Sequence, residues 1–207
     1  MEEFSASYPV ERVDRSEEKH EAIVICAGRH RITIHDCDKL GLKLGMTLDE
    51  DGFALLIEAE QRLACVQKAL SLLEYGDLSK RRMIEKLRTR FPASLAVETA
   101  DLLEERGYLD DLRLAKRYAE NYDELRSYGP MRIKEELYRK GFSADVIEEA
   151  LRPYRNAEHR DRIREMLLKK YSEEQLSDPA VRQKANAWLS RQGYTWSEIS
   201  DVLQTIL

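Results

Sequence analysis

Four residues in one short stretch carry groups that bind metals: Cys26, His30, His35 and Cys37. Thiolate and imidazole are the ligands zinc prefers, and four of them converging would make a closed tetrahedral site. The pattern around them argues otherwise. Ile23-Val24-Ile25-Cys26 and Arg31-Ile32-Thr33-Ile34 read as two strands about a turn containing Gly28, with Cys26 facing Arg31. Cys37 then lies six residues further along the strand. At ~3.3 Å per residue that is about 20 Å, too far for one ion. With Cys65 the cysteines number three, without a close pair, which predicts free thiols in a reducing compartment. Asp110-Asp111 has the form of an acid–base pair. It follows Gly107-Tyr108-Leu109 where a helix must begin, so helix capping by one of the two is the expected role. No nucleophile elbow, phosphate-cradling glycine loop or HExxH is present. The expectation is a protein with no catalytic residues, no metal and no cofactor.

The richest charge feature is SKRRMIEKLRTR, residues 79–90. Lys80, Arg81, Arg82, Lys86, Arg88 and Arg90 are offset there only by Glu85. A solvated helix face explains them, with Arg88 and Arg90 near a helix C-terminus where the dipole favours cations. A contact patch for phosphates or an acidic protein surface explains them equally well. Arg139, Lys140 and Arg191 occupy the corresponding later helix ends, where the dipole is the better account. Arg139 and Lys140 join the six as candidate contact residues.

The elements that would position these side chains form a repeat. Leu137 precedes Gly141-Phe142, and Ile147, Leu151 and Tyr154 follow the aromatic at offsets of 5, 9 and 12. Leu189 precedes Gly193-Tyr194, followed by Ile199, Leu203 and Ile206 at the same offsets. Leu87 precedes Phe91, followed by Ala96, Ala100 and Leu103, with one residue missing where the others have glycine. A period of 51 to 52 residues accommodates three short helices. Within the middle copy Gly129 is read as the end of one helix and Pro130 as the first turn of the next. Gly141 is read as a left-handed stop and Ser143 as a cap.

Ahead of the repeats, residues 9–35 read as a small β unit in which Ile25 pairs with Ile32 and Ile23 with Ile34, with a weaker strand near Val10 to Val13. Thr47 with Glu50 is a candidate capping box. Phe53 to Ile57 is expected as a lead-in helix and Ala64 to Tyr75 as the first long helix, with Ser79, Pro92 and Ala157 near later helix starts. Asp178-Pro179 and Thr195 with Glu198 are read as helix starts, the latter a capping box. Charge follows the same division: residues 1–60 hold 7 Lys+Arg against 14 Asp+Glu, and residues 61–207 hold 27 against 25. The predicted fold is mostly α, with three tandem three-helix repeats in an elongated curved array behind a small β-containing unit. The boundaries are 1–58, 59–109, 110–155 and 156–207. No apolar run approaches the ~20 residues that span a bilayer, and the acidic, polar start MEEFSASYPVERVDR is unlike a secretory signal. A cytoplasmic monomer is expected.

The runs LLEERGYLDD (102–111) and YGPMRIKEELYRKGF (128–142), with the spacing between them, resemble the RecX family of recombinase regulators. The basic, serine-started helix from Ser79 to Leu87 matches the family pattern, and DKLGLKLGMTLDEDG (38–52) is similar to the β-containing extension of some members. The missing glycine before Phe91, and a third repeat matching mainly in ANAWLSRQGYTWSEI, depart from it. The resemblance implies a non-enzymatic protein that lies in the groove of the RecA–single-stranded DNA filament and restrains ATP hydrolysis, strand exchange and stimulated repressor cleavage. The alternative is a helical repeat protein that binds DNA directly without sequence preference, through weak backbone contact. Its would-be recognition helices, VIEEA and SEISD, are acidic and poor in base-reading residues.

Overall fold

The computed structural model describes residues 6–154 and 159–206. The chain divides into two compact units, Met1–Asp77 with Met83–Arg106, and Leu78–Arg82 with Gly107–Leu207.

In the first unit, β1 (Tyr8–Pro9) pairs with β5 (Thr47–Leu48), while β2 (Arg12–Ser16), β3 (Glu21–Ile25) and β4 (Arg29–Thr33) form an antiparallel meander. The register differs from the expected one: Ile25 faces Arg29, Ile23 faces Arg31 and Ala22 faces Ile32. The buried face is therefore Ala22, Val24, Cys26, His30 and Ile32. Both faces of β3 are apolar, so alternation alone does not choose between them. The choice is made by the turn, where Ala27 takes a left-handed φ of 51° and the Cys26 N–H donates to the Gly28 carbonyl at 2.9 Å. Strand β4 stops at Thr33, whose side chain accepts from the Asp36 N–H and caps α1 (Ile34–Lys39). Ile34, His35 and Cys37 are thus helical, and the strand-based separation of Cys26 from Cys37 does not apply. Cys26 Sγ lies 3.4 Å from the Tyr8 carbonyl, and Cys37 Sγ accepts from Arg15 at 3.8 Å. Burial pushes the thiols of Cys26, Cys37 and Cys65 up from their ordinary pKa, so they stay protonated and inert.

The two helices expected over residues 53–75 are one, α2 (Glu50–Glu74). No proline or glycine interrupts the chain between Gly52 and Gly76. Its cap is Asp49, which accepts from Gly52 N–H at 2.8 Å, and not Thr47, which is held in β5. His30 joins the meander to this helix, with Nδ1 2.8 Å from Glu60 and Nε2 3.1 Å from the Cys26 carbonyl. Helix α3 (Lys80–Leu87) buries Met83 and Leu87, and α4 (Ala93–Glu105) buries Ala96, Ala100 and Leu103.

The second unit holds two helix triplets, the second with an added single-turn helix, each with its own core. The first comprises α5 (Asp111–Arg126), α6 (Pro130–Arg139) and α7 (Ala144–Ala150), with Ile133, Leu137, Phe142 and Ile147 at its centre. The second comprises α8 (Arg160–Lys170), a single-turn α9 (Glu173–Leu176), α10 (Pro179–Gln192) and α11 (Trp196–Ile206), around Ile163, Leu167, Leu189, Tyr194 and Ile199. Asp178 and Ser143 cap as expected, and Thr195 and Glu198 bond each other's backbone N–H groups. Ala157 lies outside the described residues.

The repeat is visible in how each aromatic is anchored. The N–H of Phe142 donates to the Leu137 carbonyl and that of Tyr194 to the Leu189 carbonyl, five residues back, over left-handed Gly141 (φ 90°) and Gly193 (φ 95°). This is the Schellman pattern. Phe91, one residue shorter, donates to the Leu87 carbonyl four residues back and needs no glycine. The deletion changes the type of turn while preserving the aromatic's attachment.

Candidate partner-binding surface

The surface is built from helix ends. Ser79 precedes α3, and its hydroxyl donates to the Lys140 carbonyl at the end of α6 at 2.8 Å. Arg82, one turn on, sends its guanidinium to the Arg139 carbonyl at 2.6 Å. The second junction repeats the first. Gly129 precedes α6, and its N–H donates to the Gln192 carbonyl at the end of α10 at 2.7 Å. Arg132, one turn on, donates to the Arg191 carbonyl at 2.9 Å and to the Gln192 side chain at 3.0 Å. In both places the start of one helix meets the last carbonyls of another, which have no partner within their own helix. The opposed partial charges of the two helix ends attract there.

The glycines follow from this geometry. A Cβ on Gly129 would stand 2.5 Å from the Gly193 carbonyl, and one on Gly193 would stand 2.4 Å from the Arg132 nitrogen. Gly129 is therefore a close-approach residue with an ordinary φ of −74°, and not the helix stop expected from sequence. That stop is Ser127, in the left-handed region at φ 51°. A Cβ on Gly141 would meet side chains: the Ser79 hydroxyl at 3.1 Å, Arg82 Cγ at 3.4 Å and Arg81 Cβ at 3.6 Å. The first junction is looser because a side chain takes the place of backbone.

The expected acid pair is divided between two helices. Asp110 caps α5 by accepting from Arg113 N–H, and Asp111 accepts from Lys80 N–H at 2.8 Å, capping α3. Neither aspartate is part of a reactive arrangement. The triplets of the second unit are also tied by Arg162, which pairs with the Asp123 carboxylate, and by Tyr194, whose hydroxyl donates to the Ser127 carbonyl at 3.2 Å. Burial pushes the Tyr194 phenol up to about 12, with Arg162 pulling against it.

Of the eight candidate cations, Arg81, Arg82, Arg139 and Lys140 are brought together at the first junction, where Arg81 Cβ lies 3.6 Å from the position a Gly141 Cβ would take. Lys80 is at the first helical residue. Arg139 also pairs with Glu136 at 2.8 Å. Lys86, Arg88 and Arg90 are exposed, the last two in the turn after α3. The sequence reading missed the tyrosines beside these cations. Tyr118 and Tyr122 four apart, with Tyr128 nearby, were the available signal.

The family model of the second three-helix domain of RecX matches residues 110–151. The chain is 29% identical over 172 residues to the regulatory protein RecX of Clostridium acetobutylicum, covering 80% of this chain and 79% of that one. It is 30% identical over 142 residues to the regulatory protein RecX of Pseudomonas fluorescens, covering 68% of this chain and 90% of that one. A crystal structure of regulatory protein RecX superposes with a TM-score of 0.77 at 17% identity, covering 94% of this chain and 98% of the other. The RecX crystal structure from Lactobacillus salivarius superposes with a TM-score of 0.62 at 22% identity, covering 72% and 97%. These two show a shared fold. With tandem three-helix units, a β-containing start and this similarity over most of its relatives' length, the chain belongs to the RecX family of regulatory proteins, which are not enzymes.

Proposed function

We propose that this protein regulates a recombinase by binding the RecA–single-stranded DNA filament in its groove, as a monomer in the cytoplasm, and that it restrains ATP hydrolysis, strand exchange and coprotease activity. The observation that carries the reading is the helix-end junction that occurs twice within the second unit. Each occurrence leaves exposed arginines beside it: Arg81, Arg82 and Arg139 at one, Arg191 at the other. A helical polymer offers the same acidic or phosphate groups at each step. Cations recurring on a rigid support engage several steps together, and the second contact gains from the effective concentration set by the first. Such binding requires no enclosed pocket. An open groove of ≈ 430 Å³ beside α6 and α7 is lined by Pro130, Met131, Lys134, Tyr138, Glu148 and Leu151.

The test is RecA ATPase on single-stranded DNA with and without the protein, alongside co-sedimentation with the filament. Inhibition with co-sedimentation is expected. Unchanged ATPase and no co-sedimentation would remove the proposal. Sequence-specific DNA reading is disfavoured by α7, whose exposed surface carries Asp145, Glu148 and Glu149.

A further inference from the structure

In the first triplet of the second unit, Ile133 and Leu137 of α6 and Ile147 of α7 join Leu114, Ala115 and Ala119 of α5 in one core. The flanks of α6 and α7 beyond that core enclose the open groove of ≈ 430 Å³. Pro130, Met131, Lys134 and Tyr138 make one wall, spaced as a single flank of α6. Ile147 and Leu151 of α7 are buried at the other. Met131 is 56% exposed and Tyr138 46%. From Pro130 to Tyr138 the wall is about 12 Å long at ~1.5 Å per residue.

Exposed methionines and tyrosines are ordinary when scattered. These two stand two turns apart on one helix flank, over a groove that also holds Ile147 and Leu151, so the apolar surface is continuous. Lys134 lies between them and makes no hydrogen bond or ion pair among the described residues. Glu148, in the facing wall, already has an interaction of its own. The groove therefore offers one unmatched positive charge in an apolar setting. Its walls are held in place before anything binds. The Gly129 N–H bonds the Gln192 carbonyl and the Met131 N–H the Gly193 carbonyl at the start of α6, while Ser143 caps the start of α7. A preformed groove spares a ligand the entropy of ordering it.

We infer that this groove is a docking site for a short amphipathic helix of a partner protein, one whose apolar face is bordered by carboxylates. Two turns of such a helix match the length of the wall, and its side chains pack between the rows of α6 and α7 as ridges into a groove. Apolar anchors at i, i+4 and i+7 meet Met131, Tyr138 and Leu151, and a carboxylate beside them meets Lys134. An extended segment fits less well: it would bring unpaired backbone groups to walls whose own backbone is bonded within α6 and α7. A phosphate backbone would find a single cation, Lys134, and face Glu148. The site goes beyond the recombinase reading and does not depend on it, because no cation of either junction lines the groove.

The experiment is fluorescence anisotropy of a labelled, alanine-based peptide helix of four turns, with leucines along one face and glutamates along its border, titrated with the full chain. A counterpart peptide carries lysine for every glutamate. At low salt the glutamate peptide is expected to bind about tenfold tighter than the lysine peptide. Lys134→Glu is expected to reverse that order. Met131→Gln is expected to weaken the glutamate peptide by about tenfold, the scale of one buried apolar anchor. Both positions are exposed, so both variants keep the fold, which circular dichroism verifies. A benzophenone on the peptide's apolar face is expected to crosslink at Met131, Tyr138 or Leu151, as read by mass spectrometry. No binding, equal binding of the two peptides, affinity unchanged in both variants, or crosslinks confined to other segments overturns the proposal. So does self-association in sedimentation equilibrium that Met131→Gln abolishes, since a second copy of the chain would then be the occupant.

Discussion

Tyr194 shows how a single position of the repeat acquired a second task. Its ring fills the place of Phe142 and Phe91, while its hydroxyl reaches back to the Ser127 carbonyl in the preceding triplet. Burial keeps the phenol protonated up to about 12, whereas an unfolded tyrosine ionises near 10. Between those values the unfolded chain has released a proton that the folded chain retains, so this contribution is full below pH ~10 and lost as pH rises toward 12. Tyr194→Phe is therefore expected to cost about 1 kcal/mol at pH 7, from the lost hydrogen bond. The same change should flatten the alkaline decline in stability, as measured by urea midpoints from pH 8 to 12. A parallel decline in variant and parent would place the alkaline transition elsewhere. The His30 bonds predict a separate local effect: His30→Ala leaves the Cys26 carbonyl without its imidazole partner and Glu60 with only the Arg31 N–H among the hydrogen bonds described. A loss of about 1–3 kcal/mol in urea stability is expected.

At the scale of elements, the junctions rank the glycines. Gly107 has φ 75° with open space where a Cβ would go, so Gly107→Ala meets only the left-handed penalty of about 1 kcal/mol. Gly141→Ala adds to that penalty a methyl against the Ser79 hydroxyl, which must give by tenths of an ångström. Gly193→Ala drives a methyl into backbone, as does Gly129→Ala, and each is expected to cost more than about 3 kcal/mol or to part α6 from α10. The order Gly107, Gly141, Gly193 in thermal or urea unfolding tests the junction geometry; equal losses would refute it. The same comparison explains what the sequence disclosed. Aromatics after leucines, and Ile147 or Ile199 on one helical face, are side-chain facts and were readable as a period. The second junction is closed by a backbone bond from Gly129 to Gln192, which has no side-chain signature, and the first by Ser79 and Arg82 reaching carbonyls far along the chain, which local periodicity does not reveal. The β register was unreadable for a related reason: Ala27 in a left-handed turn looks like any alanine, and both faces of β3 were apolar. The cations were legible as a cluster, but not that Arg82 serves a carbonyl.

For the molecule as a whole, the question is which cations meet a partner. Charge reversal at Arg82 is a poor probe, because a glutamate there would face the Arg139 carbonyl and disturb the junction as well as the surface. Lys86 and Arg88 are exposed at the end of α3 and make none of the junction hydrogen bonds given above. The double change Lys86→Glu and Arg88→Glu alters the local charge by four and leaves buried Met83 and Leu87 in place. If this end of the basic helix meets acidic or phosphate groups of the filament, co-sedimentation at low salt should weaken by at least about tenfold, and the difference should shrink as salt rises, since exposed charges are screened within about 10 Å at 0.1 M. Unfolding midpoints should stay within about 0.5 kcal/mol of the parent, the usual range for surface substitutions. Unchanged filament binding would assign Lys86 and Arg88 to solvent and the helix dipole. Recombinase contact would then have to be sought along the junctions, at Arg81, Arg139 and Arg191, where the fold itself sets the spacing of charge.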